Sequence, residues 1–189
     1  MSKSVEFLWA FIGLFLTIFG TMVEASVANP LVVFKPEATQ IVSLGVTYQI
    51  GAVLFVGCLG GKNAGALSQI AYVTLGLTPW FPVFGNGGGL SYLSEPSFGY
   101  LLGFIPGAWV CGALAFRTRR CVESLSASCL AGLATIHGVG LLYLALLQSS
   151  FSAWLSLASA YSWQALPGQL AIACAVMVLA YVSRLLLFY

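Results

Sequence analysis

The chain has 189 residues, of which 60% are hydrophobic and 6% charged, and its mean hydropathy is +0.98. Soluble domains carry about 25% charged residues, so this composition predicts a single integral membrane domain, all-α because helices satisfy their own backbone hydrogen bonds in lipid. A net charge of +2 leaves no basic face for nucleic acid. The seven basic and five acidic residues are too few to assemble a catalytic site among the apolar segments, which argues against an enzyme.

Six apolar segments are predicted to span the bilayer. The first is as long as a hydrocarbon core of roughly 30 Å requires at about 1.5 Å per residue. It exceeds the apolar core of a secretory signal, so we expect it to remain as a span, although Ser26 and Ala28 follow it at a cleavage-like spacing. The predicted spans are 5–23, 40–59, 64–77, 96–116, 124–148 and 166–187.

The connections between the spans hold most of the polar residues. Segment 24–39 contains Pro30 and Pro36 and predicts an ordered loop or short flap. Residues 60–63, GGKN, predict a turn; they lack the first glycine and the Ser/Thr of a phosphate-binding P-loop, so no nucleotide site is predicted. Segment 149–163 is predicted to be a serine-rich link.

The basic residues orient the chain. If the N-terminus is cytoplasmic, all of them except Lys35 fall on the cytoplasmic side, where basic residues concentrate. We therefore predict cytoplasmic N- and C-termini in a plasma membrane. The basic residues predicted to face the cytoplasm are Lys3, Lys62, Arg117, Arg119, Arg120 and Arg184.

Residues 76–103, GLTPWFPVFGNGGGLSYLSEPSFGYLLG, form the most irregular stretch. Its prolines and its glycine run predict a structured outer loop between the third and fourth spans. Glycine backbone N–H groups and the Asn86 side chain offer polar contacts, and Trp80, Phe84 and Tyr100 offer apolar walls, as in a small-molecule pocket. The alternative is that glycine and proline only permit a tight re-entrant turn.

His137 is the only histidine and lies within the fifth predicted span. We expect a neutral imidazole that is hydrogen-bonded to a neighbouring helix, with a proton path or a ligand contact as the alternative. The five cysteines show neither a CxxC spacing nor a histidine partner. They therefore predict neither a disulfide framework nor a metal site.

A stripe of small residues runs along the first span. Gly13, Thr17 and Gly20 recur at a spacing of three or four residues, which lets another helix approach closely. The stripe is either a seam within the bundle or a docking face for a partner.

Residues 72–104 resemble the BioY family, the biotin-binding S components of energy-coupling factor transporters. The family pattern has a Tyr, a GLxGxPVF element, a glycine-rich loop and a GPTGGYLxGF element. The corresponding residues here are Tyr72, GLTPWFPVF at 76–84, NGGG at 86–89 and EPSFGYLLGF at 95–104. Six spans and a Leu-Pro-Gly sequence at 166–168 agree with the same family.

The resemblance implies a vitamin pocket that opens to the outer face, with the loop between the first two spans as a lid. It implies that the chain lies in the lipid bilayer, binds a biotin-like small molecule and needs no cofactor. It also implies that the partners are a transmembrane coupling subunit and two cytoplasmic ATPases. Docking to that coupling subunit would use Gly13 and Thr17. The ligand-binding residues it implies are Tyr72, Trp80, Phe84, Asn86, Gly87, Gly88, Tyr100 and Gln169.

Four positions depart from the family pattern. Gln169 and Ile172 stand where the family has Asp and Lys in the last span. Gln169 still donates and accepts toward a ureido ring, but Ile172 cannot pair a carboxylate, which forfeits about 1.5–3 kcal/mol. Glu95 and Phe98 replace two glycines and add a charge and a bulky ring. The alternative function is therefore a BioY-like scaffold or accessory subunit of an unrelated membrane complex, without vitamin transport.

Overall fold

The computed structural model describes residues 2–28, 41–117 and 121–187. Within these residues the long helix α2 is central, since it packs against α1, α3 and α6, and α3 packs in turn against α4. A 3₁₀ helix at Leu90–Ser94 precedes α3, and a π-helical turn at Ser159–Trp163 joins α5 to α6. The elements are α1 (Lys3–Met22), β1 (Glu24–Ala28), β2 (Ile41–Thr47), α2 (Gln49–Gly76), α3 (Phe98–Arg117), α4 (Val122–Leu147), α5 (Phe151–Ala158) and α6 (Leu166–Leu187).

The helices are long and apolar enough for a multi-pass integral membrane protein. Five helical stretches of the described residues meet this requirement, with α5, the π turn and α6 counted as one. Four predicted spans coincide within two residues with α1, α3, α4 and α6. Six spans with cytoplasmic termini stay a prediction.

Helix α2 folds back on itself at Gly61. This residue has φ 79° and ψ −179°, a backbone conformation that is practically restricted to glycine. The arms on either side, 49–60 and 62–76, touch each other, because a Cβ built on Gly65 would lie 3.3 Å from the Cα of Gly57. Eight residues along a straight helix would be about 12 Å apart. The turn predicted at 60–63 is therefore confirmed as the bend of a helical hairpin.

The bend gives a first testable prediction. Gly61→Ala is expected to lower the free energy of unfolding by about 1–3 kcal/mol, because alanine is strained at this φ. The space itself is sufficient, since the nearest atom to the added Cβ belongs to Phe116 at 3.5 Å. The matched control is Gly138→Ala in α4, which meets nothing within 4 Å and should change unfolding by less than about 1 kcal/mol. Denaturant titration in detergent, followed by tryptophan fluorescence, compares the two; equal stabilities would contradict a strained bend.

Residues 41–47 form a strand, so the prediction that the second span begins at residue 40 is wrong. The segment IVSLGVT is rich in β-branched residues, and Gly45 adopts a positive φ of 65°. β2 pairs antiparallel with β1, from Glu24 opposite Thr47 to Ala28 opposite Ile41. The rest of the predicted flap, including Lys35, lies outside the described residues.

The serine-rich segment 149–163 is helical rather than a link, which corrects a second prediction. It contains α5 and the π-helical turn. The segment FSAWLSLA is apolar apart from its serines, which allows it to pack on α4. The packing of α5 on α4 therefore places the serines of the π turn next to the helix bundle.

The small-residue stripe of α1 lies in the seam with α2. Thr17 is fully buried, and it donates to the Gly13 carbonyl (2.8 Å) and accepts from the Gln69 amide (3.0 Å). A Cβ on Gly13 would come within 2.8 Å of Ser68 and Val56. Of the two alternatives, the structure shows the seam, and it leaves neither Gly13 nor Thr17 exposed to a partner.

Candidate functional site

Four polar side chains from three helices and the π turn form one hydrogen-bonded chain. Tyr100 of α3 contacts Ser162 of the π turn (Oη to Oγ, 2.8 Å), and Ser162 contacts Nδ1 of His137 on α4 (2.9 Å). Nε2 of His137 contacts Oε1 of Gln169 on α6 (2.6 Å). This last contact confirms that the histidine is hydrogen-bonded to a neighbouring helix.

The direction of each hydrogen bond follows from what the atoms can do. The Gln169 carbonyl oxygen only accepts, so Nε2 of His137 carries the proton. The Nδ1 lone pair of the neutral imidazole then accepts from the Ser162 hydroxyl, and the Ser162 oxygen accepts from Tyr100. No described residue accepts from the two amide N–H groups of Gln169, although the residue is only 7% exposed. The two N–H groups of the Gln169 amide can therefore donate to another molecule.

An open cavity of about 770 Å³ lies next to His137 and Ser162 of this hydrogen-bonded chain. His137, Ser159 and Ser162 supply its polar lining, and the remaining walls are almost entirely apolar. Volume and lining are typical of a small-molecule pocket, in which few polar groups orient an apolar ligand. The apolar walls come mainly from Leu130, Leu133, Ala134, Leu141, Trp154, Leu155, Ala158, Trp163, Leu166 and Leu170.

The β-hairpin lies across the beginning of α6, next to Gln169. A Cβ on Gly168 would lie 2.5 Å from the Leu44 carbonyl and 2.8 Å from a Val46 methyl, both on β2. Only glycine lets the strand come this close to the helix. β2, in the connection between the first two long helices, therefore contacts the residue that precedes Gln169.

Two of the predicted ligand residues, Tyr72 and Phe84, lie in a separate buried aromatic cluster. Their rings are 5.4 Å apart, and Phe84 also packs against Tyr92 (4.7 Å). The Tyr72 hydroxyl accepts from Gln49 (2.8 Å) and donates to the Val83 carbonyl (3.1 Å). These contacts tie the outer loop to α2, and Phe84 is only 2% exposed.

The glycine-rich part of the loop forms a tight turn. The N–H groups of Phe84 and Gly87 bond to each other's carbonyls (3.0 and 3.1 Å), so the Gly87 N–H is already used within the loop. Asn86 lies exposed at the tip of the turn, and Gly88 is half-buried. Trp80 is 83% exposed. The eight predicted ligand residues are thus divided among an exposed turn, an aromatic cluster and the polar chain, which holds only Tyr100 and Gln169.

The positions that depart from the family pattern are placed differently from one another. The Phe98 ring is buried against Phe84 (6.4 Å) and Tyr143 (5.9 Å), so it fills space under the outer loop, while Glu95 is exposed. Ile172 is buried against α2, where a Cβ on Gly51 would lie 2.7 Å from its methyl group. Ile172 is not among the residues that line the cavity beside His137 and Ser162.

Ser162 is the residue of the polar chain that sequence reasoning missed. It lies in a segment predicted to be a link, and a serine in a link carries no signal of its own. The sequence indicates that His137 is hydrogen-bonded or contacts a ligand, but it does not identify the partner. Only the packing of α5 against α4 brings Ser162 to it.

Comparison with known proteins identifies relatives over the whole chain. Residues 4–187 match the BioY family. The chain is 27% identical over 186 residues to an uncharacterized 21.2 kDa protein of the psbX-ycf33 intergenic region of Cyanophora paradoxa, with 98% of each chain covered.

Curated biotin transporters match a shorter part. The chain is 36% identical over 117 residues to the probable biotin transporter BioY of Lysinibacillus sphaericus, covering 61% of this chain and 58% of the relative. It is 40% identical over 99 residues to the biotin transporter BioY of Thermotoga maritima, covering 52% and 57%. The matched segments span somewhat over half of these transporters.

The fold is similar to the crystal structure of the S-component for biotin from an ECF-type ABC transporter. The TM-score is 0.68 at 20% identity, with 97% of this chain and 94% of that chain covered. The overall fold is therefore one already seen in an S component. Since the family match covers residues 4–187, this chain belongs to the BioY family.

Proposed function

We propose that this chain is the substrate-capturing S component of an energy-coupling factor vitamin transporter, and that it binds biotin or a close relative from the outer face. Membership in the BioY family and the fold similarity support the proposal. The observation that carries it is the Gln169 amide, which His137 holds by its oxygen and whose N–H groups no described residue accepts. An amide whose N–H groups have no acceptor among the described residues can donate them to a ligand.

Biotin has groups that complement this site. Its ureido carbonyl is an acceptor for the Gln169 N–H groups, and its sulfur ring and hydrocarbon chain are apolar enough for the cavity between α4, α5 and α6. Tyr100, with His137 and Ser162, fixes the orientation of the amide. Asn86 and Trp80, at the exposed part of the loop, would reach the ligand only if the loop moved toward α6.

The partners follow from the same proposal. A chain of this kind works in the plasma membrane with a transmembrane coupling subunit and two cytoplasmic ATPases, and it performs no catalysis itself. We propose no docking role for Gly13 and Thr17, because both are buried against α2.

Equilibrium binding of radiolabelled biotin to the purified protein in detergent tests the function. We expect saturable binding of one biotin per chain, about ten- to a hundredfold weaker than for a family member with a lysine at position 172. Absence of saturable binding below tens of micromolar would remove biotin as the ligand. Gln169→Leu is the comparison variant, because it keeps a similar volume and removes the amide.

The carboxylate of biotin gives a second expected result. Ile172 is buried against Gly51, so it leaves the carboxylate without a partner at that position, and biotin methyl ester should bind within about threefold of biotin. A tenfold or larger preference for the free acid would show that a cation pairs with it. Lys35 is the basic residue on the predicted outer side, and loss of that preference in Lys35→Met would identify it as the cation.

Affinity purification from native membranes separates this function from the alternative. Recovery of ATPase subunits with the chain supports transport. Recovery of an unrelated membrane complex without ATPases would support the scaffold, which the buried Phe98 under the loop also favours.

A further inference from the structure

Three cysteine thiols meet in the core of the bundle, away from the polar chain. Cys58 of α2 lies with its Sγ 3.6 Å from Cys111 of α3 and 3.7 Å from Cys129 of α4. The three sulfur atoms lie within 4.8 Å of one another, and none of the residues is more than 1% exposed. The family function described above uses none of them.

We propose that Cys58, Cys111 and Cys129 form a binding site for a soft monovalent metal ion, Cu(I). Thiolates are the ligands that Cu(I) prefers. Metal–sulfur bonds of about 2.3 Å place the sulfurs of a trigonal site about 4 Å apart. The two distances from the Cys58 sulfur, 3.6 and 3.7 Å, therefore need to lengthen by only a few tenths of an ångström to admit the ion.

The number of ligands distinguishes Cu(I) from zinc. Structural zinc is almost always bound by four ligands in a tetrahedron. Among the described residues, no fourth Cys, His or carboxylate joins the group. Since a three-sulfur site suits Cu(I) and leaves zinc one ligand short, the site selects the monovalent ion.

The proton and charge balance of the site follows from the need for thiolate ligands. Cys111 donates its S–H to the Leu54 carbonyl (3.6 Å), and it gives up this hydrogen bond when it binds the ion. Cys58, Cys111 and Cys129 each release one proton to the buffer, so Cu(I) with three thiolates carries two negative charges. The Arg184 guanidinium, which donates to the Cys58 carbonyl at 2.9 and 2.6 Å, offsets one of them.

Metal content and Cu(I) affinity test the site. Because the thiols are buried, the protein is purified under reducing conditions from cells grown with added copper, so that the ion can enter while the bundle assembles. We expect one copper ion per chain. We also expect the protein to retain this ion when a competing Cu(I) chelator is added. X-ray absorption should show only sulfur as nearest neighbours of the metal, a result that requires no variant.

The two remaining cysteines provide matched controls. Cys121 is half-buried outside the group and Cys174 is exposed, so C121S/C174S should bind Cu(I) within about twofold of the wild type. Cys58→Ser, Cys111→Ser and Cys129→Ser should each weaken Cu(I) binding by about 100-fold or more, because each removes one of the three thiolate ligands. Thermal unfolding of the metal-free variants near the wild-type temperature checks that the bundle still forms.

Several results would overturn the site. These are metal-free protein from copper-grown cells, loss of copper in C121S/C174S, a nitrogen or oxygen neighbour in the absorption spectrum, or tighter binding of zinc than of Cu(I). Biotin binding is measured separately on the same preparations, so failure of the metal site and failure of the proposed transport function are distinguishable.

Discussion

Replacing Arg184 with methionine is expected to lower the free energy of unfolding by about 1–3 kcal/mol for each of the two buried carbonyls that it leaves without a donor. Arg184 is 6% exposed and donates from Nε and Nη2 to the Cys58 carbonyl, and from Nη1 to the Ala115 carbonyl at 2.8 Å. Its guanidinium also lies 4.4 Å from the centre of the Phe116 ring. Methionine fills much of the same volume but donates nothing.

The reason lies in the helix ends that Arg184 joins. Cys58 lies just before the Gly61 bend and Ala115 lies in the last turn of α3. Carbonyls at such positions have no donor within their own helix, and a cation there also interacts favourably with the helix dipole. Arg184 therefore satisfies the ends of two helices at once.

Arg117→Met is the matched control, because Arg117 is exposed at the end of α3. Arg117→Met should change the free energy of unfolding by less than about 0.5 kcal/mol. Arg184→Lys should fall between the two, since an ammonium lacks the fork of donors that reaches both carbonyls. Denaturant unfolding in detergent measures all three, and equal stability of the two methionine variants would contradict the capping role.

His137→Leu is expected to weaken biotin binding by about ten- to a hundredfold, as is Gln169→Leu, since each removes one partner of the buried hydrogen bond between them. Without His137, the Gln169 amide loses the contact that directs its N–H groups toward the ligand. Equilibrium binding of labelled biotin to each purified variant measures the loss.

A double-mutant cycle makes the prediction specific. Because both residues act through one contact, the double variant should bind biotin no worse than the weaker single variant, a non-additivity of about 0.5–3 kcal/mol. Thr135→Val is the control on the same helix, since its hydroxyl donates only to the Ala131 carbonyl. Additive losses, or wild-type affinity in His137→Leu together with lost binding in Asn86→Ala, would place the ligand at the outer loop instead.

Sequence was most informative where the membrane leaves few choices. Long apolar segments such as 166–187 can only be helices in lipid, so the predicted bounds agree closely with α6. The prediction was wrong at 41–47, because a short run rich in β-branched residues has the same hydropathy in a strand as at the beginning of a helix. The strand is decided by its partner β1, which lies far enough away in the chain to leave no local signal.

At the candidate site, too, the sequence predicted some features and only the packing decided the others. Resemblance pointed to Tyr100 and Gln169, and both belong to the polar chain. It pointed equally to Phe84 and Trp80, of which one is buried in an aromatic cluster and the other is exposed on the loop. A motif carries the residue types of a family, whereas the direction of each side chain depends on neighbours that differ here, such as Phe98.

Composition and hydropathy by themselves determined that this is a helical membrane protein, and the motifs of residues 72–104 identified its family. Tertiary structure alone decided which side chains meet: His137 with Ser162 and Gln169, and Cys58 with cysteines 53 and 71 residues away. The physical reason is the distance over which each effect depends on sequence. The free energy of transfer into lipid depends on the residues of one segment, so it can be estimated from that segment alone. A hydrogen bond or a metal site needs atoms within a few ångströms of each other, and only the packing of one helix against another provides them.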